Sequence, residues 1–301
     1  MRIVFGPVSS RRFGRSLGVD LSPNKKCCNF DCVYCELTQA RIVKEISDPP
    51  NVGDVVNEVK EALKIHKNID VITLTANGEP TLYPKLKELI RELNLIKAGS
   101  KLLILSNGTG VLNPKIYDAL LELDIVKFSL DSATQKTFRK VDRGSKELQV
   151  SNLISKMSEF SREFKGELVL EILVVKGLND TKEEFEALNL AVNRIMPARV
   201  DVSSIDRPPS YPVKGVSKEF LNELACEIKN VPCVVAGARY SGDLLEFNKE
   251  QLLELLARRP QSKNDVENSF CEASKRNLNE LLALKKVKVV NIAGVEFYKL
   301  A

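Results

Sequence analysis

The chain has 301 residues, of which 44% are hydrophobic and 28% charged, so it can bury a large folded core. This composition excludes a disordered or collagen-like chain. Its 45 basic and 40 acidic residues give a net charge of +5, which permits contact with nucleic acid without requiring it. No apolar run reaches the roughly 20 residues of a membrane helix, and the N-terminus lacks a signal-peptide core. We therefore expect a cytoplasmic protein with no membrane partner.

Short apolar runs alternate with amphipathic segments through the first two thirds of the chain. The predicted strands are 17–22, 71–76, 102–106, 125–130, 168–175 and 199–204. The predicted helices are about 55–66, 83–95, one from 114, 150–164 and one from 181. We expect Asp54 and Asn113 to cap the first and third helices, and Asp180 with Glu183 to form a capping box. This alternation is typical of a parallel α/β sheet, and six units predict a partial (β/α)6 barrel rather than a closed eight-unit barrel.

A different pattern follows the proline-rich segment 206–214, which we interpret as a rigid linker or lid. Predicted helices at 249–259, 262–270 and 274–285 precede two short strands, 287–291 and 295–298, as in a winged helix-turn-helix. We predict a core at 1–215, a connecting segment at 216–248 and this module at 249–301. Its basic side chains suit nucleic-acid phosphates, and its leucines equally suit protein docking. The basic residues are Lys275, Arg276, Lys285, Lys286 and Lys288.

Three of the seven cysteines stand close together: Cys28, Cys32 and Cys35, in the spacing C-x3-C-x2-C. Three thiolates on one loop can bind three irons of a 4Fe–4S cluster and leave the fourth iron open. The alternative is a structural zinc knuckle, but the single histidine, His66, lies on a separate predicted helix, where we expect a surface or capping role. The remaining cysteines follow no second-cluster spacing and are interpreted as isolated thiols. They are Cys27, Cys226, Cys233 and Cys271.

The cysteine spacing and its flanks resemble the signature of the radical S-adenosylmethionine (SAM) superfamily, and the resemblance covers about residues 1–215. It implies a 4Fe–4S cluster on the three cysteines, with SAM chelating the open iron through its amino and carboxylate groups. A one-electron donor such as flavodoxin or ferredoxin would then drive SAM cleavage to a 5′-deoxyadenosyl radical, which abstracts hydrogen from a substrate.

Further matches follow successive predicted strands. The segment Asn77–Pro80 (NGEP) is similar to the family's Gly-Gly-Glu-Pro motif, with Asn77 in place of the first glycine. Ser106-Asn107-Gly108 and Ser129-Leu130-Asp131 resemble the motifs of the next two strands. The SAM-binding residues that the resemblance implies are Tyr34, Asn77, Gly78, Glu79, Pro80, Asn107, Ser129 and Asp131.

The alternation of side chains along the strands provides an independent prediction. Lys127, Ser129 and Asp131 share one face of their strand, and the apolar residues between them share the other. The polar face should line the barrel interior, together with Thr73, Thr75 and Asn77 of an earlier strand. Candidate substrate-contacting residues are therefore Lys127, Glu171 and Asp201, with an ion-pair network that fills the interior as the alternative.

An arginine-rich block precedes the cysteines, and Arg11, Arg12 and Arg15 either bind substrate phosphates or form a surface that is solvated or pairs with SAM. The block is similar to a branch near the wyosine tRNA synthases. Our leading hypothesis is that the radical modifies an RNA base in tRNA. The alternatives are a protein- or peptide-modifying enzyme, and a redox-sensing regulator that binds DNA through the C-terminal module.

Overall fold

A computed structural model describes residues 2–10, 12–205, 207–235, 244–258, 260–292 and 295–301. Arg11 and Asp206, which the sequence analysis included in its basic block and its proline-rich segment, lie outside these ranges. Within them the main sheet has eight strands in sequential order. They are β1 (Val4–Ser10), β2 (Gly14–Asp20), β3 (Val71–Thr75), β4 (Lys101–Ser106), β5 (Ile125–Ser129), β6 (Glu167–Val174), β7 (Arg199–Ser204) and β8 (Cys233–Val235).

The strands from β2 to β8 pair in parallel, and β1 pairs antiparallel with β2. The sheet is therefore an α/β sheet of mostly parallel strands, and no pairing between β1 and β8 closes it in the described residues. The α/β class and the open sheet are confirmed, but the count of six strands was too low. The β1–β2 hairpin was missed because Pro7 and the arginine block obscure its alternation.

Helices cover the outer face of this sheet and bury one continuous apolar core against it. They are α1 (Val52–Ile65), α2 (Leu86–Ile96), α3 (Pro114–Leu120), α4 (Gln135–Val141), α5 (Val150–Glu163), α6 (Lys182–Ile195) and α7 (Lys218–Ala225). The buried side chains of α1, α2 and α5 recur at three- and four-residue spacing, as an amphipathic helix on a sheet requires. Residues of α7 and the strand after it belong to the same core.

The helix starts differ from the predictions at three places. The first helix begins at Val52 after Asn51, so Asp54 lies in its first turn instead of capping it. The second helix begins at Leu86 and not at Tyr83, because a 3-10 turn at Pro80–Leu82 occupies the preceding segment. The Tyr83 hydroxyl donates to the Pro50 carbonyl at 2.6 Å. The cap of α6 is Thr181, whose hydroxyl accepts from the Glu184 amide, whereas Asp180 accepts from Gly177.

The C-terminal elements form a separate apolar core. They are α8 (Lys249–Arg258), β9 (Gln261–Ser262), α9 (Lys263–Ser269), α10 (Glu272–Ala283), β10 (Val287–Ile292) and β11 (Val295–Leu300). The strands make a small antiparallel sheet with β11 in the centre. Three helices with a β wing match the predicted order of elements, and the winged-helix interpretation stays a prediction. No helix in the described ranges is long and apolar enough to cross a membrane.

Replacing Thr181 by Ala should lower the free energy of unfolding by about 1 kcal/mol, because the first turn of α6 loses its side-chain cap. Thr181→Ser keeps the hydroxyl and should retain most of the stability. Chemical denaturation of both variants measures the difference. Equal losses in the two variants would contradict the assignment of Thr181 as the cap.

Candidate functional site

The cysteine loop, residues 25–36, lies against the turn that follows β3. The Cys27 amide donates to the Asn77 carbonyl at 2.8 Å, and the Glu79 amide donates to the Cys27 carbonyl at 2.9 Å. These two bonds make a short parallel bridge between Cys27 and Gly78. The loop therefore continues the hydrogen bonding of the sheet at the carboxyl end of a parallel strand, where α/β folds place their sites.

Gly78 permits this contact. Its φ is +137°, and a Cβ there would lie 1.9 Å from the Cys27 carbonyl oxygen. Asn77 is not among the described non-glycine residues with positive φ, so the asparagine fits its backbone position without strain. The motif thus keeps its glycine at the one position where the cysteine loop would collide with a side chain.

Three of the four cysteines of the loop, Cys28, Cys32 and Cys35, carry free, partly buried thiols. Burial raises the pKa of Cys28 to about 12, with a further contribution from nearby Glu79, and burial also raises the pKa of Cys32 well above its usual value. Thiolates at these positions therefore need positive charge beside them, which bound iron supplies. Lys26 adds an ammonium 3.5 Å from the Cys35 sulfur.

The donor set suits a cluster better than a single ion. Across the described ranges, no group of three or more His, Cys, Asp or Glu side chains is arranged to hold one metal ion. A 4Fe–4S cluster gives each thiolate its own iron, so its ligands lie farther apart than those of one zinc ion. Three soft sulfurs on one short loop are the donors that a 4Fe–4S cluster takes, whereas a zinc knuckle would need a fourth ligand.

Glu79 connects the cysteine loop to the end of β4. One carboxylate oxygen accepts from the Thr81 amide, the Thr81 hydroxyl and the Ser106 hydroxyl, at 2.6 to 3.0 Å. The other accepts from the Asn107 amide at 2.7 Å. Burial raises the pKa of Glu79, and these four donors oppose that rise. The second oxygen can accept one more hydrogen bond.

Asn107 extends this network back to the cysteine loop. Its side-chain amide donates to the Asn29 side chain at 2.7 Å, and its side-chain oxygen accepts from Thr109. Asn107 therefore holds the loop between Cys28 and Cys32 against the β4 turn. The structure thus gives Asn107 a role within the protein, and the SAM contact that the resemblance implied stays a prediction.

Tyr34 and Asp131 form a second connection to the cysteine loop. The Tyr34 hydroxyl donates to one oxygen of Asp131, and the Leu173 amide donates to the other at 2.7 Å. Burial raises the pKa of Asp131 to about 6, and burial together with nearby Asp131 raises the pKa of Asp142 well above its usual value. Two buried carboxyl groups this close disfavour each other's ionisation. Asp142 directly follows the last residue of α4, and no pattern in the sequence indicated that its carboxyl group is buried.

The segment 207–214, which we call the strap, covers the cysteine loop. The Ser210 amide donates to the Cys35 carbonyl at 2.8 Å, and Arg207 forms an ion pair with Glu36 at 2.9 Å. The Tyr211 hydroxyl donates to Asp31 at 2.5 Å. The strap therefore fastens the end of β7 to the loop. Its prolines indicated rigidity in the sequence, but not which surface it covers.

An ionic chain occupies the interior side of the sheet. The Lys127 ammonium lies 2.8 Å from Glu171 and 3.3 Å from Asp201, and Asp201 also contacts Arg12 at 3.2 Å and Arg199 at 3.1 Å. The Asp201 side chain is 1% exposed, whereas that of Glu171 is 35% exposed. The predicted residues Lys127, Glu171 and Asp201 therefore form one connected network. Lys127 and Glu171 line the interior, and Asp201 is buried beneath them.

A cavity of about 840 Å³ joins the cysteine loop to this ionic chain. It brings together Tyr34, Cys35 and Asn77 of the predicted cofactor residues with Lys127 and Glu171 of the predicted substrate residues. Thr73 and Thr75 line it as strand alternation predicted. The other predicted residues lie outside its lining: Cys28, Cys32, Gly78, Glu79, Pro80, Asn107, Ser129, Asp131 and Asp201.

Arg12 and Arg199 are the site residues whose positions the sequence analysis did not predict. Arg12 lines the cavity and is 14% exposed at its side chain, so it belongs to the interior and not to an outer phosphate-binding surface. Arg199 lies over the ring of Phe13 at 5.0 Å and pairs with Glu167 at 2.5 Å. Its place at the start of β7, two residues before Asp201, is the signal that could have found it.

Comparison with known proteins places this geometry in a family. A model described as the Radical SAM superfamily matches residues 26–188, which include the cysteine loop and the strands from β3 to β6. The chain belongs to the radical SAM superfamily. Proteins of this superfamily use a 4Fe–4S cluster and SAM, which agrees with the donor set of the cysteine loop.

Relatives and solved structures agree with this assignment. The UPF0026 protein of Helicobacter pylori (strain ATCC 700392 / 26695) is 39% identical over 98% of this chain and 97% of its own length. A radical SAM methyltransferase from Sphaerobacter thermophilus has a TM-score of 0.57 at 16% identity, over 74% of this chain and 67% of its own. Streptococcus suis SuiB, bound to its precursor peptide SuiA, has a TM-score of 0.59 at 15% identity, over 74% of this chain and 49% of its own. The two structures show the shared fold alone.

Replacing Gly78 by Ala should displace the cysteine loop, because the new Cβ would overlap the Cys27 carbonyl. We expect the free energy of unfolding to fall by about 2 kcal/mol or more, and less iron to be retained per chain after anaerobic reconstitution. Iron analysis and denaturation measure the two effects.

Gly53→Ala is the matched control for this prediction. A Cβ at Gly53 has nothing within 4 Å, and the residue lies in α1, where alanine is the better helix former. This variant should keep its iron and gain stability. Wild-type iron content in Gly78→Ala would contradict the role of the glycine.

Proposed function

We propose that the protein is a radical SAM enzyme that holds a 4Fe–4S cluster on Cys28, Cys32 and Cys35 and binds SAM in the adjoining cavity. The observation that carries the proposal is the seating of the cysteine loop on the Asn77–Glu79 turn beside a cavity that Cys35 lines. Three thiols, a polar turn and a cavity thus meet at the carboxyl ends of the parallel strands.

With both bound, the cluster would supply one-electron reduction of SAM to methionine and a 5′-deoxyadenosyl radical that abstracts hydrogen, the electron coming from a donor such as flavodoxin or ferredoxin. In this proposal the cavity binds SAM beside Tyr34 and Asn77, and the walls of the cavity exclude water from the reacting atoms.

The remaining motif residues have supporting roles in the proposal. Glu79 presents its second oxygen to the SAM amino group, and Pro80 starts the buried 3-10 turn that fixes Glu79. Asp131 orients Tyr34 through their hydrogen bond. Direct SAM contacts by Gly78, Asn107, Ser129 and Asp131 remain predictions.

We infer further that the substrate is an RNA, with the C-terminal module (249–301) acting as a winged helix that contacts phosphates. Support comes from the exposure of basic side chains on α10 and in the turn and strand that follow it. They are Arg276, Lys285, Lys286 and Lys288. Lys275 is less available, because it pairs with Glu272 at 2.9 Å.

The first test measures 5′-deoxyadenosine from reconstituted protein, SAM and dithionite, with and without bulk cellular tRNA. We expect product from the wild type and none above background from Cys32→Ser, which lacks one cluster ligand. Cys226→Ser is the matched control, because Cys226 is exposed and lies outside the cysteine loop. Absence of product from wild-type protein with a full iron complement would contradict the assignment.

The RNA partner has its own test. Reversing two charges, Lys285→Glu with Lys286→Glu, should weaken tRNA binding by about tenfold or more at low salt, because two phosphate contacts are lost. A charge-matched control is Lys101→Glu with Lys165→Glu, two exposed residues at the amino ends of β4 and β6. Equal binding by the two double variants would remove the support for RNA, and a protein or peptide substrate would take its place.

A further inference from the structure

We propose that Arg12 and Lys127 form a binding subsite for an oxyanion, a carboxylate or a phosphate, carried by a small-molecule co-substrate that binds in addition to the RNA. The proposal rests on the proposed function only in calling that molecule a co-substrate, because the subsite itself follows from the arrangement of charges in the cavity wall.

The cations and carboxylates of the ionic chain are equal in number, but the pairing compensates them unequally. Three cations, Arg12, Lys127 and Arg199, surround the single carboxylate of Asp201. Two of them have a second carboxylate each: Lys127 contacts Glu171, and Arg199 contacts Glu167. Within the described residues, Arg12 shares Asp201 and has no carboxylate of its own. Arg12 is thus the cation in the network with the least compensation.

Arg12 also keeps donors for a ligand. Its contact with Asp201 is through Nε, and the described structure shows no partner for its two terminal nitrogens. A guanidinium presents these nitrogens as a fork that matches the two oxygens of a carboxylate or phosphate. Because the residue lines the cavity, a bound molecule reaches that fork from inside the barrel.

Burial determines what kind of molecule carries the anion. The side chains of Arg12 and Lys127 are 14% and 9% exposed, so the backbone of a folded RNA cannot lie against them. The neighbouring wall is apolar, with Phe5, Val8 and Phe13 in the lining. A cavity of about 840 Å³ lies within the usual range of small-molecule sites, which fits a small organic molecule as the carrier of the anion.

Glu171 sets the selectivity of the subsite. Its carboxylate also lines the cavity and is held 2.8 Å from Lys127. It partly neutralises Lys127 and repels a ligand with excess negative charge, so Arg12 supplies the main attraction. Removing the negative charge of Glu171 should strengthen anion binding, whereas removing the positive charge of Arg12 should weaken it. A residue that only stabilises the fold would not produce opposite effects.

The test is isothermal titration of the full-length, reconstituted protein with acetate and, separately, inorganic phosphate, at constant ionic strength in chloride. We expect binding of at least one probe in roughly the millimolar range. Arg12→Gln should weaken it about tenfold or more, and Glu171→Gln should strengthen it several-fold. Arg2→Gln, an exposed arginine of the same N-terminal segment, is the control and should bind as the wild type does.

The probe that binds more tightly identifies the anion as carboxylate or phosphate. Failure of the wild type to bind either probe would overturn the subsite, and so would weakening in Glu171→Gln. Should Arg12→Gln not fold, the Glu171→Gln titration alone still decides. A SAM titration on Arg12→Gln completes the test: an equal loss of SAM affinity would assign Arg12 to the cofactor instead. Anion binding needs no turnover, so its failure and failure of the radical chemistry are separate results.

Discussion

The contact between the cysteine loop and Gly78 is the constraint on which the site depends. The cysteine loop has no regular structure of its own, so its backbone needs hydrogen-bond partners elsewhere. Two backbone bonds to the turn after β3 supply them, and Gly78 permits that approach because it has no side chain. Because β3 lies inside a parallel sheet, the sheet holds the loop at the mouth of the cavity.

The same turn also carries Glu79, so one short segment performs two tasks. Its backbone holds the cysteine loop, and its carboxylate gathers the end of β4 through Ser106 and Asn107. Asn107 then returns to the loop through Asn29. The result is a closed circuit of hydrogen bonds that runs from Cys27 through Glu79 and Asn107 to Asn29 and so encloses Cys28. Loss of any member leaves a buried polar group without its partner, which costs about 1–3 kcal/mol.

Local patterns in the sequence predicted most of the parallel sheet and part of the site. The strands from β3 to β7 are apolar runs bounded by turn residues, and such a run by itself indicates a buried strand. The cysteine spacing is equally local. Strand alternation correctly predicted that Lys127 and Glu171 face the interior, because a strand's side chains alternate regardless of its partners.

Contacts between distant parts of the chain were beyond sequence reasoning. The partner of Asp201 on the β1–β2 loop, Arg12, is separated from it by 189 positions, and no local pattern links them. The strap's contact with Asp31 is of the same kind, since Tyr211 lies 180 residues away. The burial of Asp142 was not predicted, because an acidic residue at the end of a helix is ordinarily solvated and only the fold buries it near Asp131.

The C-terminal module contributes to the cavity as well as to any outer surface. Val8 of β1 packs against the core of the module, and Ala257 of α8 lines the cavity itself. Arg2, just before β1, forms an ion pair with Glu254 of α8. Since β1 is the edge strand on the side of Arg12, α8 covers an edge that an open sheet would otherwise expose. The module therefore helps to enclose the cavity whether its outer face binds RNA or protein, and a nucleic-acid role must be compatible with this inner one.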